Sequence, residues 1–184
     1  EYPLAFSGNM REVKLKGEAY FEVVKNAEAP FVVKTDLGDI KVLGTEFNMK
    51  CYSDETALVI TLVNGKVKFD DGINPSVILK PEEQLIFEKE NRQSIVRKVN
   101  VNHYTGWKDN RLSFQGETLD MIMKTLSRWY NVEVVFEDST LKALEFSGNL
   151  DRFTGIQEFL SLFELGVNVK FEVKNRTVYI RKGN

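Results

Sequence analysis

The sequence is poor in the side chains that most often carry out chemistry. It holds one cysteine, Cys51, and one histidine, His103, among 184 residues. A lone cysteine cannot form an intrachain disulfide, and a metal site would require further ligands. We therefore expect Cys51 to be a buried, inert thiol and His103 to be structural or solvated. We expect neither a metal nor any other cofactor.

Long apolar runs and an excess of one charge are also missing. The apolar run at residues 59–63 is far too short to span a bilayer. The formal net charge is −2, and the basic residues are dispersed, which argues against a nucleic-acid footprint.

The first residue is Glu, with no signal sequence. We expect an excised piece of a longer protein, with targeting or membrane segments upstream.

The remaining polar motifs do not form a catalytic constellation. The acidic pairs Asp70-Asp71 and Glu82-Glu83 lie in turn-like contexts, where adjacent carboxylates usually point apart into solvent. The segment around Gly44 lacks the frame of a phosphate-binding loop and is followed by a strand pattern, so we expect Gly44 to mark a bulge or a tight bend. The sequence thus predicts that the protein is not an enzyme.

The first half of the chain has the pattern of consecutive short strands. Apolar and polar residues alternate at period two from residue 11 to about 101, as in half-buried strands. Asn64-Gly65 lies between two such segments and predicts a hairpin, because both residues tolerate positive φ. The sequence predicts an all-β domain over residues 1–101, and both a sandwich and a solenoid-like stack fit the pattern.

The second half has an α+β pattern that begins after a polar stretch, residues 100–106, which we interpret as a linker. One helix is predicted after Thr118 as N-cap, and a second after the capping-box spacing of Thr154 and Gln157. Both helices lie within a strand–helix–strand duplication, whose matching segments are 112–116 with 144–148 and 132–137 with 167–172. Residues 107–184 are therefore predicted to form an α+β domain built from two βαβ repeats.

Several motifs of the first half occur in a recognisable order: Gly17-Glu18-Ala19, Pro30-Phe31, Val42-Leu43-Gly44-Thr45 and Leu79-Lys80-Pro81. In this order and spacing they resemble the periplasmic core of the FecR family of anti-sigma regulators. One departure is Glu82, since the family often has glycine after that proline. The departure predicts a changed turn.

The second half, from Trp107 onward, resembles the C-terminal domain of FecR-like proteins from Bacteroidetes. Its architecture is similar to the short signalling domain of TonB-dependent receptors and secretins. The resemblance implies the periplasmic sensor part of a single-pass inner-membrane anti-sigma regulator. Its implied partners are the signalling domain of an outer-membrane TonB-dependent receptor and a sigma factor, the latter through a cytoplasmic segment absent from this chain. The implied function is a relay by protein–protein contact.

The contact of such a relay would lie on the duplicated domain, by addition of a strand at an exposed sheet edge. We assign it to outward positions of the strands predicted at 144–150 and 177–181, because alternation buries their apolar residues. An outward tyrosine beside an arginine has the composition of an interface hot spot, although both also suit an ordinary surface. The six assigned residues are Glu145, Ser147, Asn149, Thr177, Tyr179 and Arg181.

Two other functions are open at this point. In one, the β-rich half binds a small ligand or glycan and the βαβ half dimerises, which requires an exposed platform from Tyr20, Tyr52 or Tyr104. In the other, the second half binds RNA in the manner of a KH domain. The absence of a GxxG loop and the balanced charge of residues 102–184 argue against RNA binding.

Overall fold

The computed structural model describes residue 6, residues 8–151 and residues 155–183. The chain divides into two compact units, Glu1–Thr105 and Gly106–Asn184, and the division falls at the end of the stretch interpreted as a linker. Strands predominate over helices in both units, which gives a β-rich α+β fold. Among the described residues, no helix has the length and apolar character needed to cross a membrane.

The first unit contains ten strands in two five-stranded sheets. One sheet has the order β1-β3-β4-β7-β8 and the other has the order β10-β9-β6-β5-β2. The strands are β1 Arg11–Lys14, β2 Gly17–Val23, β3 Phe31–Thr35, β4 Gly38–Val42, β5 Thr45–Cys51, β6 Ala57–Asn64, β7 Val67–Asp70, β8 Val77–Leu79, β9 Glu83–Glu88 and β10 Ser94–Lys98. The short helix α1, Asn102–Thr105, ends the unit within the predicted linker.

A single apolar core joins the two sheets of this unit. Val33 and Ile40 from one sheet and Phe47, Ile60 and Phe87 from the other are fully buried in it. Period-two alternation produces this arrangement, because it turns every second side chain of each strand inward. Apart from the parallel pair β1–β3, the described ladders of the unit are antiparallel. The arrangement therefore favours the sandwich over the solenoid-like stack.

The predicted hairpin at Asn64-Gly65 is wrong. Strands β6 and β7 belong to different sheets, so the turn passes the chain from one sheet to the other. Gly65 has φ +93°, and a Cβ there would lie 2.7 Å from the carbonyl oxygen of Gly44. The hydroxyl of Thr45 donates to the carbonyl oxygen of Lys66 at 3.0 Å. The turn is thus fixed by residues on β5 and just before it rather than by pairing between β6 and β7.

Glu82 occupies the turn for which the family resemblance predicts a changed conformation. Its φ is +67°, in the left-handed region, and it follows Pro81. The amide of Glu83 donates to the carbonyl oxygen of Lys80 at 3.1 Å, which closes a turn of the kind that glycine favours at this position. The amide of Glu82 donates to Leu62 at 3.0 Å. The departure therefore leaves a glycine-type turn in place, contrary to the predicted change.

The second unit has two strand–helix–strand segments followed by a closing strand. Its main elements are β11 Arg111–Thr118, α2 Leu119–Tyr130, β12 Glu133–Phe136, β13 Glu145–Asp151, α3 Ile156–Glu164, β14 Val169–Lys174 and β15 Thr177–Lys182, with short 3₁₀ helices at Gly106–Asp109 and Ser139–Ala143. Strands β11 and β13 form an antiparallel pair. The other sheet has the order β12-β15-β14, in which β12 is parallel and β14 antiparallel to β15.

The two longer helices bury their apolar faces in the core of this unit. Leu119, Ile122 and Leu126 of α2 are fully buried, as the helical spacing predicts. Thr118 caps α2 as predicted, since its hydroxyl accepts the amide of Met121 at 3.4 Å. The predicted capping residue of α3, Thr154, lies outside the described residues.

Candidate partner-binding surface

The strand that carries Tyr179 is the middle strand of its sheet. Val178 and Ile180 of β15 are fully buried, Thr177 and Tyr179 are half-buried, and Arg181 is exposed. The backbone of β15 is paired with β12 on one side and β14 on the other. A partner strand therefore cannot add to β15, and edge pairing is wrong for this strand. Its outward residues can make contact only through the open face of the sheet.

Tyr179 occupies the centre of that open face. Its neighbours in register are Val135 on β12 and Glu172 on β14. Val135 is 41% exposed, which is high for a branched apolar residue on a strand. The ammonium group of Lys174 lies 5.9 Å from the centre of the Tyr179 ring and 3.0 Å from the Glu172 carboxylate. The face thus combines an aromatic ring, an apolar side chain and charges of both signs.

The other three assigned residues lie on β13, in the separate two-stranded sheet. Glu145, Ser147 and Asn149 are all exposed. Two of them bind the neighbouring strand β11: the hydroxyl of Ser113 donates to Asn149 Oδ1 at 2.7 Å, and the amide of Gly116 donates to Ser147 Oγ at 2.8 Å. The six residues therefore form two groups on two sheets, and the β13 group is partly engaged within the sheet.

One edge of the three-stranded sheet is occupied by a side chain, a feature that sequence reasoning missed. The Glu164 carboxylate at the end of α3 accepts the amide of Phe171 on β14 at 2.8 Å and lies 2.6 Å from the Lys170 ammonium group. These hydrogen bonds, that of Lys170 first, lower the pKa of Glu164. A charged side chain at a sheet edge, and an edge amide that already has a hydrogen-bond partner, both disfavour the addition of another strand.

The opposite edge, β12, is open. The amide of Glu133 donates to Arg176 at 2.7 Å, and the amide of Glu137 donates to Ile180 at 2.9 Å. In a parallel ladder, alternate residues bond to the same neighbour, so Val134 and Phe136 direct their amide and carbonyl groups away from β15. Within the part of the chain that the structure describes, the sheet ends at this row of backbone groups.

The cysteine, the histidine and Gly44, which the sequence analysis considered as possible functional residues, occupy structural positions. Cys51 is half-buried at the end of β5, and burial raises the pKa of its thiol, which disfavours the reactive thiolate. His103 is half-buried in α1. The described residues contain no group of three or more metal-binding side chains. Gly44 lies in the bend between β4 and β5, and a Cβ there would lie 2.5 Å from the backbone of Lys25.

The acidic pairs are used by the turns in which they lie. Burial opposes ionisation of Asp71, but hydrogen bonds from Asn74 and Ile73 and the charge of Arg92 lower its pKa to about 2. Its side chain is 3% exposed and lies 3.2 Å from the Arg92 guanidinium group. Glu83 Oε2 accepts the amide of Lys80 at 2.8 Å. These carboxylates stabilise loops in the first unit.

The aromatic platform required for glycan binding is not formed by the tyrosines that the sequence suggested. Tyr20 on β2, Tyr52 after β5 and Tyr104 in α1 are all half-buried. The Tyr104 hydroxyl accepts a hydrogen bond from Arg97 at 3.1 Å. The three rings lie on different elements of the unit, and none of them is as exposed as the predicted platform requires.

The outward-facing features of the second unit, within the part of the chain that the structure describes, are thus a sheet face and a sheet edge. Residues 2–68 match the FecR protein family, and residues 111–180 match the family's C-terminal region, described as FecR, C-terminal. The chain belongs to the FecR family of anti-sigma factors, a family of regulators.

Solved structures agree with this assignment. The chain is similar to a candidate anti-sigma factor from Parabacteroides distasonis ATCC 8503, with 26% sequence identity and a TM-score of 0.91 over 100% of this chain and 86% of the other. A second crystal structure with the same description gives a TM-score of 0.90 at 26% identity, over 100% and 85% of the two chains. Among curated proteins, no sequence is significantly similar.

Proposed function

We propose that this chain is the periplasmic sensor region of a transmembrane anti-sigma regulator. In this proposal it binds the signalling domain of a TonB-dependent outer-membrane receptor and relays the signal inward by contact. The sigma factor binds a cytoplasmic segment that is not part of this chain. The observation that carries the proposal is the match of both halves of the chain to the FecR family.

The two units take different roles in this proposal. Residues 1–101 act as the FecR-like all-β domain, and residues 107–184 act as a signalling-type domain related to the short domains of TonB-dependent receptors and secretins. The strand–helix–strand repetition of the second unit supports this division. The largely antiparallel sandwich of the first unit suits a scaffold, whereas the second unit presents an open sheet face and an open edge.

The proposed contact surface consists of the outward residues of β13 and β15: Glu145, Ser147, Asn149, Thr177, Tyr179 and Arg181. Tyr179 is its expected centre, because it is half-buried on the middle strand of the sheet, between Val135 and Glu172 in register. A half-buried ring loses little conformational entropy on binding. Tyrosine and arginine are both enriched at interface hot spots. The exposed side chain of Val135 beside Tyr179 extends the apolar part of the surface.

The direct test is calorimetric titration of the chain with the signalling domain of the receptor encoded beside it. We expect micromolar or tighter association. Tyr179→Ala should weaken binding by about tenfold or more, as hot-spot truncations do. The control is Tyr20→Ala, a half-buried tyrosine on β2 of the first unit. Absence of association contradicts the proposed function, whereas equal affinity of Tyr179→Ala and the unmodified chain contradicts the surface alone.

A further inference from the structure

A groove of about 470 Å³ runs along the open edge of β12. Helix α2 contributes one wall through Met123, Lys124 and Ser127, and the other wall is β12 itself with Val134 and Phe136. The groove lies within the second unit, and its lining includes Val134 and Phe136, the residues whose backbone groups are directed away from β15. An apolar floor beside unused backbone groups is the combination found where an extended peptide joins a sheet.

We propose that the β12 edge and this groove bind an extended strand of the receptor's signalling domain, which joins the sheet as a fourth strand beside β12. This inference rests on the proposed function and specifies how its partner is held. Val134 and Phe136 each present one N–H donor and one carbonyl acceptor to the incoming strand. Their spacing of two residues matches the repeat of a β-strand.

The charges around the groove favour backbone recognition over recognition of a charged ligand. Asp120 lies 2.8 Å from the ammonium group of Lys124 and 3.7 Å from that of Lys142, so the carboxylate is shared between two cations. The Lys142 ammonium also lies 5.4 Å from the centre of the Phe136 ring. Because Asp120, Lys124 and Lys142 are already paired with one another at the rim, the attractions that they leave to an incoming strand are mainly those of the backbone groups and the apolar lining.

The same geometry predicts the sequence character of the bound strand. Side chains of a strand alternate between its two faces, so every second residue of the partner points toward Met123 and Phe136. We expect these residues to be apolar and those between them to be polar, because the latter continue the open face beside Val135. Proline should be absent from positions that pair with Val134 or Phe136, since it lacks the N–H.

The opposite edge of the sheet offers a matched control for the experiment. Val134 on β12 and Val173 on β14 both pair with Val178 and both pack against the same core while half-buried. The amide of Phe171 points outward to Glu164, and antiparallel alternation turns the amide of Val173 outward as well. Val134→Pro and Val173→Pro therefore remove the same packing and one outward amide each, on different edges.

Binding of the receptor signalling domain to the full chain and to both variants tests the inference. Val134→Pro should weaken association by about tenfold or more, because it removes a donor and places the ring in the path of the strand. Val173→Pro should change affinity by less than about threefold. Equal weakening by both variants would overturn the inference, because the loss would then follow from core packing.

Hydrogen exchange on the unmodified chain makes the test independent of variant folding. The amides of Val134 and Phe136 should exchange at least about tenfold more slowly in the complex, whereas those of Glu133 and Glu137, already bonded to β15, should change little. Association without this protection overturns the strand-binding inference and leaves the proposed function standing. Absence of association with the unmodified chain overturns both.

Discussion

The carboxylate of Glu164 accepts the backbone amide of Phe171, so a residue at the end of α3 occupies the outer edge of β14. The sheet that carries Tyr179 consequently has one blocked edge and one open edge. The block is local to the Phe171 amide, and the proposed strand addition uses the opposite edge. The block also gives Glu164 a role in stability that can be measured separately from binding.

Glu164→Ala should lower the free energy of unfolding by about 1–2 kcal/mol at neutral pH, the usual contribution of a charge-assisted hydrogen bond. The pKa of Glu164 is lowered in the folded state, so its contribution is present above the pKa of the unfolded chain. It is lost as the pH falls through the lower, folded-state pKa. Urea denaturation of the variant and the unmodified chain at pH 7 and pH 3 measures this difference.

The control for this prediction is Glu158→Ala, an exposed glutamate on the same helix. It should change stability by less than about 0.5 kcal/mol, as exposed substitutions usually do. A difference between Glu164→Ala and the unmodified chain that is as large at pH 3 as at pH 7 would contradict the role assigned to the carboxylate.

Asp71 should show the largest acid-dependent contribution in the first unit. Its pKa of about 2 lies below the ordinary value of 3.8, so Asp71→Ala should cost roughly 2 kcal/mol above about pH 4. Most of the cost should be lost as the pH falls from about 4 to about 2, and the rest below the folded-state pKa, where both states are protonated. Asp70→Ala, beside it and more exposed, is the control and should cost about 1 kcal/mol or less. A pH-independent loss in Asp71→Ala would refute this explanation.

Glu82→Gly should stabilise the protein. A left-handed backbone costs an L-residue about 1–2 kcal/mol, whereas glycine adopts it freely and loses about 0.5–1 kcal/mol in entropy. The expected net gain is about 0.5 kcal/mol, measurable by thermal or urea denaturation. Glu83→Gly, one residue later, should instead destabilise by about 1 kcal/mol, because Glu83 begins β9 and its carboxylate accepts the amide of Lys80. Destabilisation by both substitutions would mean that Glu82 is not strained.

Gly65→Ala should destabilise more than Gly72→Ala, although both glycines have positive φ. A Cβ at Gly65 would lie 2.7 Å from the Gly44 oxygen and 2.9 Å from Thr45 Oγ1, whereas nothing lies within 4 Å at Gly72. We expect a loss of more than about 2 kcal/mol for Gly65→Ala and about 1 kcal/mol for Gly72→Ala, the latter from backbone strain alone. Equal losses in urea denaturation would show that the close approach between β5 and this turn is unimportant.

The local periodicity of the sequence predicts most of the elements but not how distant elements meet. The alternation of β1–β5 and the apolar face of α2 follow from neighbouring residues, and Thr118 is recognisable as a cap. Asn64-Gly65 is recognisable as a turn. The hairpin predicted at this turn is wrong, because β7 joins the other sheet. The turn is held by a hydrogen bond from Thr45 to Lys66, a contact between residues too far apart in the sequence for local periodicity to predict.

For the candidate site, too, the sequence predicts local features but not the contacts between distant elements. Alternation predicts which residues of β15 point outward, and the structure buries Val178 and Ile180 accordingly. Its place between β12 and β14 depends on a parallel pairing with a strand more than forty residues away, for which the sequence carries no local signal. The block at Glu164 and the groove beside β12 each join a helix to the strand that follows it, but both depend on how the helix packs against the assembled sheet, which local periodicity does not predict.

The most direct test of the relay is calorimetric titration of this chain with the signalling domain of the TonB-dependent receptor encoded beside it, with Tyr179→Ala measured in parallel. Relay by contact predicts association at micromolar or tighter affinity and a weakening of about tenfold or more in the variant. Absence of detectable association between the unmodified chain and that receptor domain would contradict the central claim.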